Sequence, residues 1–376
     1  MLDEEILALC ESAPLSPERA AELVGAYPGV ADYDNVNCAF SRCDGRARGT
    51  FYGQGDLSGA WVCAVGAFDG FHLGHQALIA RARKEAEALG ACVCAVTFSP
   101  DPSEVLGSPA PASRLMDTRH RAELLLRGGA DGVLEFEFDE AFSALTYDEF
   151  VREALLKLVD ARAIVVGSDF CMGAHGAGTV DALRALGREL SVEVIGLDLL
   201  GEDGAPVTAT RIRGLVRKGS VEAAAGLMGR CPAFTGHVER GRGEGTSFGF
   251  PTANVITDMH NCLPEQGVYA GFVTPLGEYP LYAYPAAINV GLPPTFLWED
   301  SDLDLTAVSF LEANLIGYEG DLYGSDVAVT LIRWLRDSRP FDSLEELKRT
   351  VLGNIDWVRA CLGDAGVHID EGEVER

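Results

Sequence analysis

The chain has 376 residues, a length that calls for two domains plus an appendage rather than one core. With 47% hydrophobic and 23% charged residues it is no disordered chain, and a formal charge of −27 opposes binding to nucleic-acid phosphates or anionic lipid. Any phosphate ligand must therefore be held by local donors. The start Met1-Leu-Asp-Glu-Glu has no basic-then-apolar leader pattern and no apolar run nears the roughly 18 residues of a membrane span, so a cytoplasmic protein is expected. Ten cysteines are scattered without a Cys-x-x-Cys pair, which reads as buried thiols rather than metal ligands.

In chain order, residues 1–57 form an extension. It holds acidic helical stretches such as 17–26, broken by Pro14, Pro28 and Gly29, then a loop-like segment through Gly49, with no evident chemistry. From Trp61 the texture changes to apolar runs of strand length at 61–65, 92–98, 133–136, 163–166 and 192–197, separated by segments with helical spacing. That alternation predicts a parallel sheet with helices on its faces, and ligands in such sheets bind beyond the carboxyl ends of the strands. Near Arg230 the chain turns to glycine- and proline-punctuated strands at 267–273, 282–290 and 305–315, the texture of a small β-barrel. A last periodic stretch at 344–362 predicts a helix capped by Asp342 or Ser343 and ended by Gly363. The expected division is 1–57 extension, 58–228 first domain, 229–365 second domain and 366–376 acidic tail.

The first strand runs into Gly66-Ala-Phe-Asp-Gly-Phe-His-Leu-Gly-His75, directly ahead of a helical segment. Free backbone N–H groups and the positive end of the helix dipole attract phosphate there, Gly70 and Gly74 allow close backbone approach, and His72 and His75 lie three apart across the helix start. Residues 68–75 resemble the His-x-Gly-His signature of the nucleotidylyltransferase superfamily in the form seen in bacterial FAD synthetases. The resemblance implies ATP contacts from Asp69, Gly70, His72, Gly74 and His75. Thr208-Ala-Thr-Arg-Ile-Arg213 resembles that family's later nucleotide-binding segment, with Thr210 and Arg213 as the implied contacts. Asp169 falls in its Gly-Phe-Asp-Phe-Arg-Phe loop. The implied reaction is attack of the FMN phosphate on the α-phosphorus of ATP. Three departures from the family pattern stand in this half: Asp101 in Thr97-Phe-Ser-Pro-Asp-Pro102, both arginines missing from Gly167-Ser-Asp-Phe-Cys-Met-Gly-Ala-His-Gly176, and Ala209.

A second constellation, Gly241-Arg-Gly-Glu-Gly-Thr-Ser-Phe-Gly-Phe-Pro-Thr-Ala-Asn254, joins a glycine-rich stretch to hydroxyl and amide oxygens. Thr252 and Asn254, one residue apart, face the same side if extended and suit one Mg²⁺ or a phosphate. Gly249-Phe-Pro-Thr-Ala-Asn254 is similar to the riboflavin kinase signature. Gly267-Val-Tyr-Ala270, Asn289-Val-Gly-Leu-Pro-Pro-Thr-Phe296, Gly320-Asp-Leu-Tyr-Gly324, Arg336 and Phe341 follow in the family order. The resemblance implies Mg–ATP binding by Gly249, Thr252 and Asn254, with Glu312 as the catalytic carboxylate. Strand alternation puts Glu312 on a face with Val308 and Phe310, and apolar surroundings there would raise its pKa toward general-base use. One departure is Glu244-Gly-Thr246, where relatives carry Arg-Gly-Arg; Arg240 and Arg242 lie nearby.

Together these imply an α/β nucleotidylyltransferase-like parallel-sheet domain followed by a small flavokinase β-barrel with a C-terminal helix. The expected function is conversion of riboflavin to FMN and of FMN to FAD with ATP and Mg²⁺, with no nucleic-acid or membrane partner. The alternatives are a monofunctional riboflavin kinase with a degenerate first domain and a flavin-binding regulator without turnover.

Overall fold

The computed structural model describes residues 15–24, 38–53, 56–107, 113–240, 250–277, 280–291, 308–339 and 341–369. Two compact units divide them. One holds the start of the chain, Leu115–Asp117 and the chain from Thr210 on; the other holds the chain between. Helix α1 (Pro17–Val24) opens the first unit. In the second, β1 (Cys38–Arg42) and β2 (Ala47–Gly53) form an antiparallel hairpin, where the sequence predicts a loop. Its period-two pattern is hidden because the buried face of β2 is Ala47, Gly49, Phe51 and Gly53, half of it glycine. Gly49 has a steric reason: a Cβ there would collide with the Glu135 carbonyl oxygen and the Phe40 ring.

There follow β3 (Ala60–Val65), α2 (Leu73–Leu89), β4 (Cys92–Ser99), α3 (Pro102–Val105), α4 (Thr118–Arg127), β5 (Gly132–Glu137) and β6 (Asp160–Gly167). A short hairpin, β7 (Cys171–Met172) with β8 (Gly178–Thr179), leads to α5 (Val180–Leu190) and β9 (Glu193–Leu197). The sheet order is β1-β2-β5-β4-β3-β6-β9, parallel from β5 to β9 and antiparallel only at the β1–β2 edge. Central strands covered on both faces need apolar residues throughout, and Trp61 to Val65 are all buried. Phe51, Phe98, Phe136, Phe142 and Phe150 share one core cluster of this unit.

Beneath the carboxyl ends of β3 and β4 lies a buried ion pair. Arg121 on α4 donates to the carbonyl oxygens of Ala67 (3.2 Å) and Phe98 (2.8 Å) and meets Glu135 of β5 at 3.5 Å. Thr97 adds a hydroxyl hydrogen bond to the same Ala67 oxygen at 3.0 Å. Burial pushes the Glu135 carboxyl above its ordinary range against the pull of Arg121.

After a second short hairpin, β10 (Gly201–Glu202) with β11 (Ala205–Pro206), come α6 (Ala209–Val216) and α7 (Val221–Met228). Six antiparallel strands then build the barrel: β12 (Ala233–Glu239), β13 (Ala253–Asp258), β14 (Gly267–Pro275), β15 (Tyr282–Gly291), β16 (Val308–Leu315) and β17 (Asp326–Asp337). They run β14-β17-β12-β13-β16-β15, and the β14–β15 ladder closes the ring. Helix α8 (Leu344–Leu362) has Ser343 as its N-cap, accepting from the Glu346 N–H, and β18 (Val367–His368) adds to β15. The expected parallel-sheet domain, barrel and last helix are all present.

Two cores serve the barrel unit. One contains Val238, Val255, Ile288, Leu311 and Val329, contributed by five different strands. The other packs Leu15, Ala20, Leu23 and Val24, from and just before α1, with Ile355, Val358 and Leu362 of α8 and with Ile369. The Leu15 N–H donates to the Cys361 carbonyl oxygen at 2.8 Å, so the chain start is tied to α8 by backbone as well as by side chains.

Two outcomes are expected. Leu23→Ala removes a side chain that is 4% exposed and should destabilise the barrel unit by about 2–5 kcal/mol, read as a lower urea midpoint in tryptophan fluorescence. Arg121→Met leaves Glu135 buried without its cation, a loss of about 3–5 kcal/mol. Because the folded pKa of Glu135 is raised, its native state holds the proton more tightly than the unfolded chain, so stability falls as pH rises from the unfolded value through the folded one. The Arg121→Met deficit should therefore be smaller in acid, where only the bonds to the Ala67 and Phe98 carbonyl oxygens are lost, and full at neutral pH. Adding Glu135→Gln should abolish that pH dependence; urea midpoints taken at both pH values decide it.

Candidate active sites

In the parallel-sheet unit, the turn after β3 is a run of unusual backbone angles: φ is +54° at Phe68, +77° at Gly70 and +31° at Phe71. Non-glycine residues rarely adopt such angles, and here burial holds them, since Phe68, Asp69, Phe71 and His72 are all buried. His72 is the N-cap of α2, its Nδ1 accepting from the His75 N–H at 3.4 Å. The His72 and His75 rings stack at 3.7 Å with a 17° interplanar angle, and the Phe68 ring meets His75 edge-on at 5.1 Å. Gly74 is explained by this stack: a Cβ on it would lie 3.1 Å from His72 Nδ1 and Cε1. The turn thus brings Asp69, Gly70, His72, Gly74 and His75 together at the first turn of a 17-residue helix, where the positive end of the helix dipole suits an anion.

Asp169 is exposed just beyond β6, and the following segment folds as the β7–β8 hairpin although it lacks the family's arginines. Asp101 is turned to a local task. Its carboxylate caps α3, accepting from the Ser103 N–H at 2.9 Å, and Glu104 returns a bond to the Asp101 N–H at 3.2 Å. In the barrel unit, Thr210 is exposed and Arg213 half-buried on α6, with the Arg213 carbonyl oxygen accepting from Cys262 Sγ at 3.7 Å.

The barrel carries the second site on the face outside its core. Asn254 of β13 lies directly opposite Glu312 of β16, which lies opposite Asn289 of β15, so three polar residues occupy one rung across three strands. Side chains at such opposed positions share a face of the sheet. Thr252, just before β13, donates its hydroxyl to Glu312 Oε1 at 2.7 Å. Gly249 and Arg242 lie outside the described residues. Arg240, offered by the sequence as a compensating cation, stacks on the Tyr323 ring at 4.9 Å.

One expectation needs correction. Glu312 shares a face with Phe310 as the alternation predicts, but the carboxylate is exposed and is met by Thr252 rather than enclosed by apolar groups. The reason is that the opposite face, with Leu311 and Ala313, is the one turned to the core. The sequence also singled out neither Asn289 nor Asn314 as a site residue. Asn314 is buried, and its Nδ2 donates to the Pro251 carbonyl oxygen at 2.7 Å.

The donors at this site, a threonine hydroxyl, a carboxylate and an opposed amide residue, are hard oxygen ligands of the type Mg²⁺ takes together with substrate phosphates. Among the described residues no cluster of three or more His, Cys, Asp or Glu side chains could cage a metal by itself.

Comparison with known proteins gives a family for each of the two parts of the chain. Residues 56–211 match the FAD synthetase family and residues 228–362 the riboflavin kinase family. A bifunctional riboflavin kinase/FMN adenylyltransferase of Escherichia coli (strain K12) is 32% identical over 290 residues, covering 77% of this chain and 89% of its own length. The protein of the same name from Bacillus subtilis (strain 168) is 29% identical over 292 residues, again 77% and 89%. A solved structure of a macrolide-efflux protein from Streptococcus pneumoniae superposes with a TM-score of 0.69 at 26% identity, covering 81% of this chain and 96% of that one. Among the described residues of the present chain, no helix is long and apolar enough to cross a membrane. The two family matches, and a relative aligned over nine-tenths of its length, establish that this chain belongs to the bifunctional riboflavin kinase/FMN adenylyltransferase family.

Proposed function

We propose that this chain is a cytoplasmic enzyme that phosphorylates riboflavin to FMN with ATP at the barrel and adenylylates FMN to FAD at the parallel-sheet unit. The observation that carries the first reaction is the 2.7 Å hydrogen bond between Thr252 and Glu312, on a rung shared with Asn254. An exposed carboxylate held by one hydroxyl is open to a substrate alcohol. Glu312 takes the proton of the ribityl 5′-hydroxyl as its oxygen bonds to the γ-phosphorus of ATP, and the bond to the β-phosphate oxygen breaks to release ADP. The Thr252 oxygen keeps lone pairs while it donates to Glu312, so Thr252 and Asn254 are the residues that would hold Mg²⁺ arriving with ATP. Bound there, the ion would neutralise charge on the phosphates.

In the second reaction the FMN phosphate attacks the α-phosphorus and pyrophosphate leaves. No proton need be removed from the nucleophile, so the demand on the protein is for positioning and for donors to the phosphates. The buried turn 68–72, the start of α2 and the stacked His72 and His75 supply a fixed set of such groups. Thr210, Arg213 and Asp169 are further proposed nucleotide contacts, carried by the family pattern. Asp101 would stand against a phosphate only where its charge faces one, and its commitment to the α3 cap favours retention of adenylyl transfer over a kinase with a degenerate partner unit.

Chromatography of flavins formed from riboflavin, ATP and Mg²⁺, with a parallel tube supplied with FMN, tests the pair. FAD in both tubes is expected; FMN alone from the first, with FMN unchanged in the second, would leave only the kinase. Glu312→Gln should lower phosphorylation by about 10²–10⁴-fold with folding intact, and near-normal turnover would sink the base assignment. His72→Ala with His75→Ala should stop FAD formation and spare FMN formation.

A further inference from the structure

The ladder between β13 and β16 ends one rung short of Thr252. Its last pair is Ala253 with Ala313, and the next in register would be Thr252 with Asn314. The Asn314 side chain replaces that rung: its Nδ2 reaches past the end of β13 and donates to the Pro251 carbonyl oxygen at 2.7 Å. The backbone of Asn314 stays fixed from the other side, where it pairs with Ala287 of β15. Asn314 is 8% exposed while Pro251 is exposed, so the bond is part-buried and only partly screened from water.

Three consecutive residues are thereby held. The Phe250 side chain is buried in the cluster shared with α1 and α8, the Pro251 carbonyl is held by Asn314, and the Thr252 hydroxyl meets Glu312. Proline limits φ at the centre of this segment and offers no N–H of its own, so the carbonyl is the backbone handle available at that residue. Asn314 and Glu312 lie two apart on one strand and one face, which makes β16 the common ruler for both.

We infer that Asn314 is a positioning residue for phosphoryl transfer, fixing the Pro251–Thr252 backbone so that the Thr252 oxygen sits at a set distance from Glu312 and from the Mg–ATP complex. The inference rests on the kinase reading above. It assigns Asn314 no contact with substrate; its effect passes through Thr252.

The test uses the full chain. Asn314→Asp keeps the shape but replaces the N–H donor by an acceptor facing the Pro251 oxygen. Asn314→His restores a donor, because imidazole Nδ1 lies the same number of bonds from the backbone as Nδ2 of asparagine. With Mg–ATP varied at saturating riboflavin, Asn314→Asp should raise KM for ATP by about tenfold, the order set by loss of one part-buried hydrogen bond. Asn314→His should recover most of that loss, and adenylylation of supplied FMN should match wild type in both. A KM for ATP unchanged in Asn314→Asp, or equal losses in the Asp and His variants, would overturn the inference and leave a merely structural asparagine. Rates that fall only with the folded fraction, measured by circular dichroism on the same samples, would overturn it too. Wild-type protein that forms no FMN from riboflavin would instead remove the kinase reading itself.

Discussion

The barrel site depends on register. Closure through the β14–β15 ladder fixes six strands against one another, and only then do Asn254, Glu312 and Asn289, distant in sequence, fall on one rung. A slip of one residue in β16 would turn Glu312 into the core and bring Leu311 or Ala313 to the surface. The apolar residues of that inner face are therefore what hold the carboxylate in place, although none of them touches it. Thr252 and Asn314 refine a position that the ring has already set.

The parallel-sheet site is built on a different principle. No ladder runs through the turn at 68–72, whose backbone adopts angles that the chain would not choose in isolation. Anchors below and rings above hold it: Arg121 and Thr97 grip the Ala67 carbonyl, Phe68 and His72 are buried, and the missing Cβ of Gly74 leaves room for the imidazole. A buried arginine with a desolvated glutamate is a weak source of net stability, but it is a firm way to aim a carbonyl. Rigidity at this turn therefore comes from polar contacts beneath it, whereas at the barrel it comes from apolar packing.

Much of this was legible in the sequence. The five parallel strands are short apolar runs, the last helix has a cap at Ser343 and a stop at Gly363, and both site motifs mark themselves by glycine, histidine and hydroxyl residues in close sequence. What escaped was one local hairpin, one choice of buried face and one side chain's partner. The β1–β2 hairpin escaped because glycine and alanine carry its buried face. The surroundings of Glu312 were misjudged because both faces of β16 carry apolar residues, and alternation alone does not say which one is core. Asn314 gives no signal at all, since its partner is a backbone carbonyl, which any residue type supplies.

The packing of α1 against α8 has a consequence for biosynthesis. A ribosome releases Leu15 to Val24 well before the residues that cover them, Ile355 to Ile369, with the entire parallel-sheet unit made in between. That unit can finish folding on the way out, but the barrel unit can close its second core only once Ile369 has been made. Until then the apolar stripe of α1 stands open, with the exposed Glu18 and Glu22 beside it favouring solubility of the segment. The parallel-sheet unit thus reaches its fold earlier in the life of each molecule than the barrel unit does.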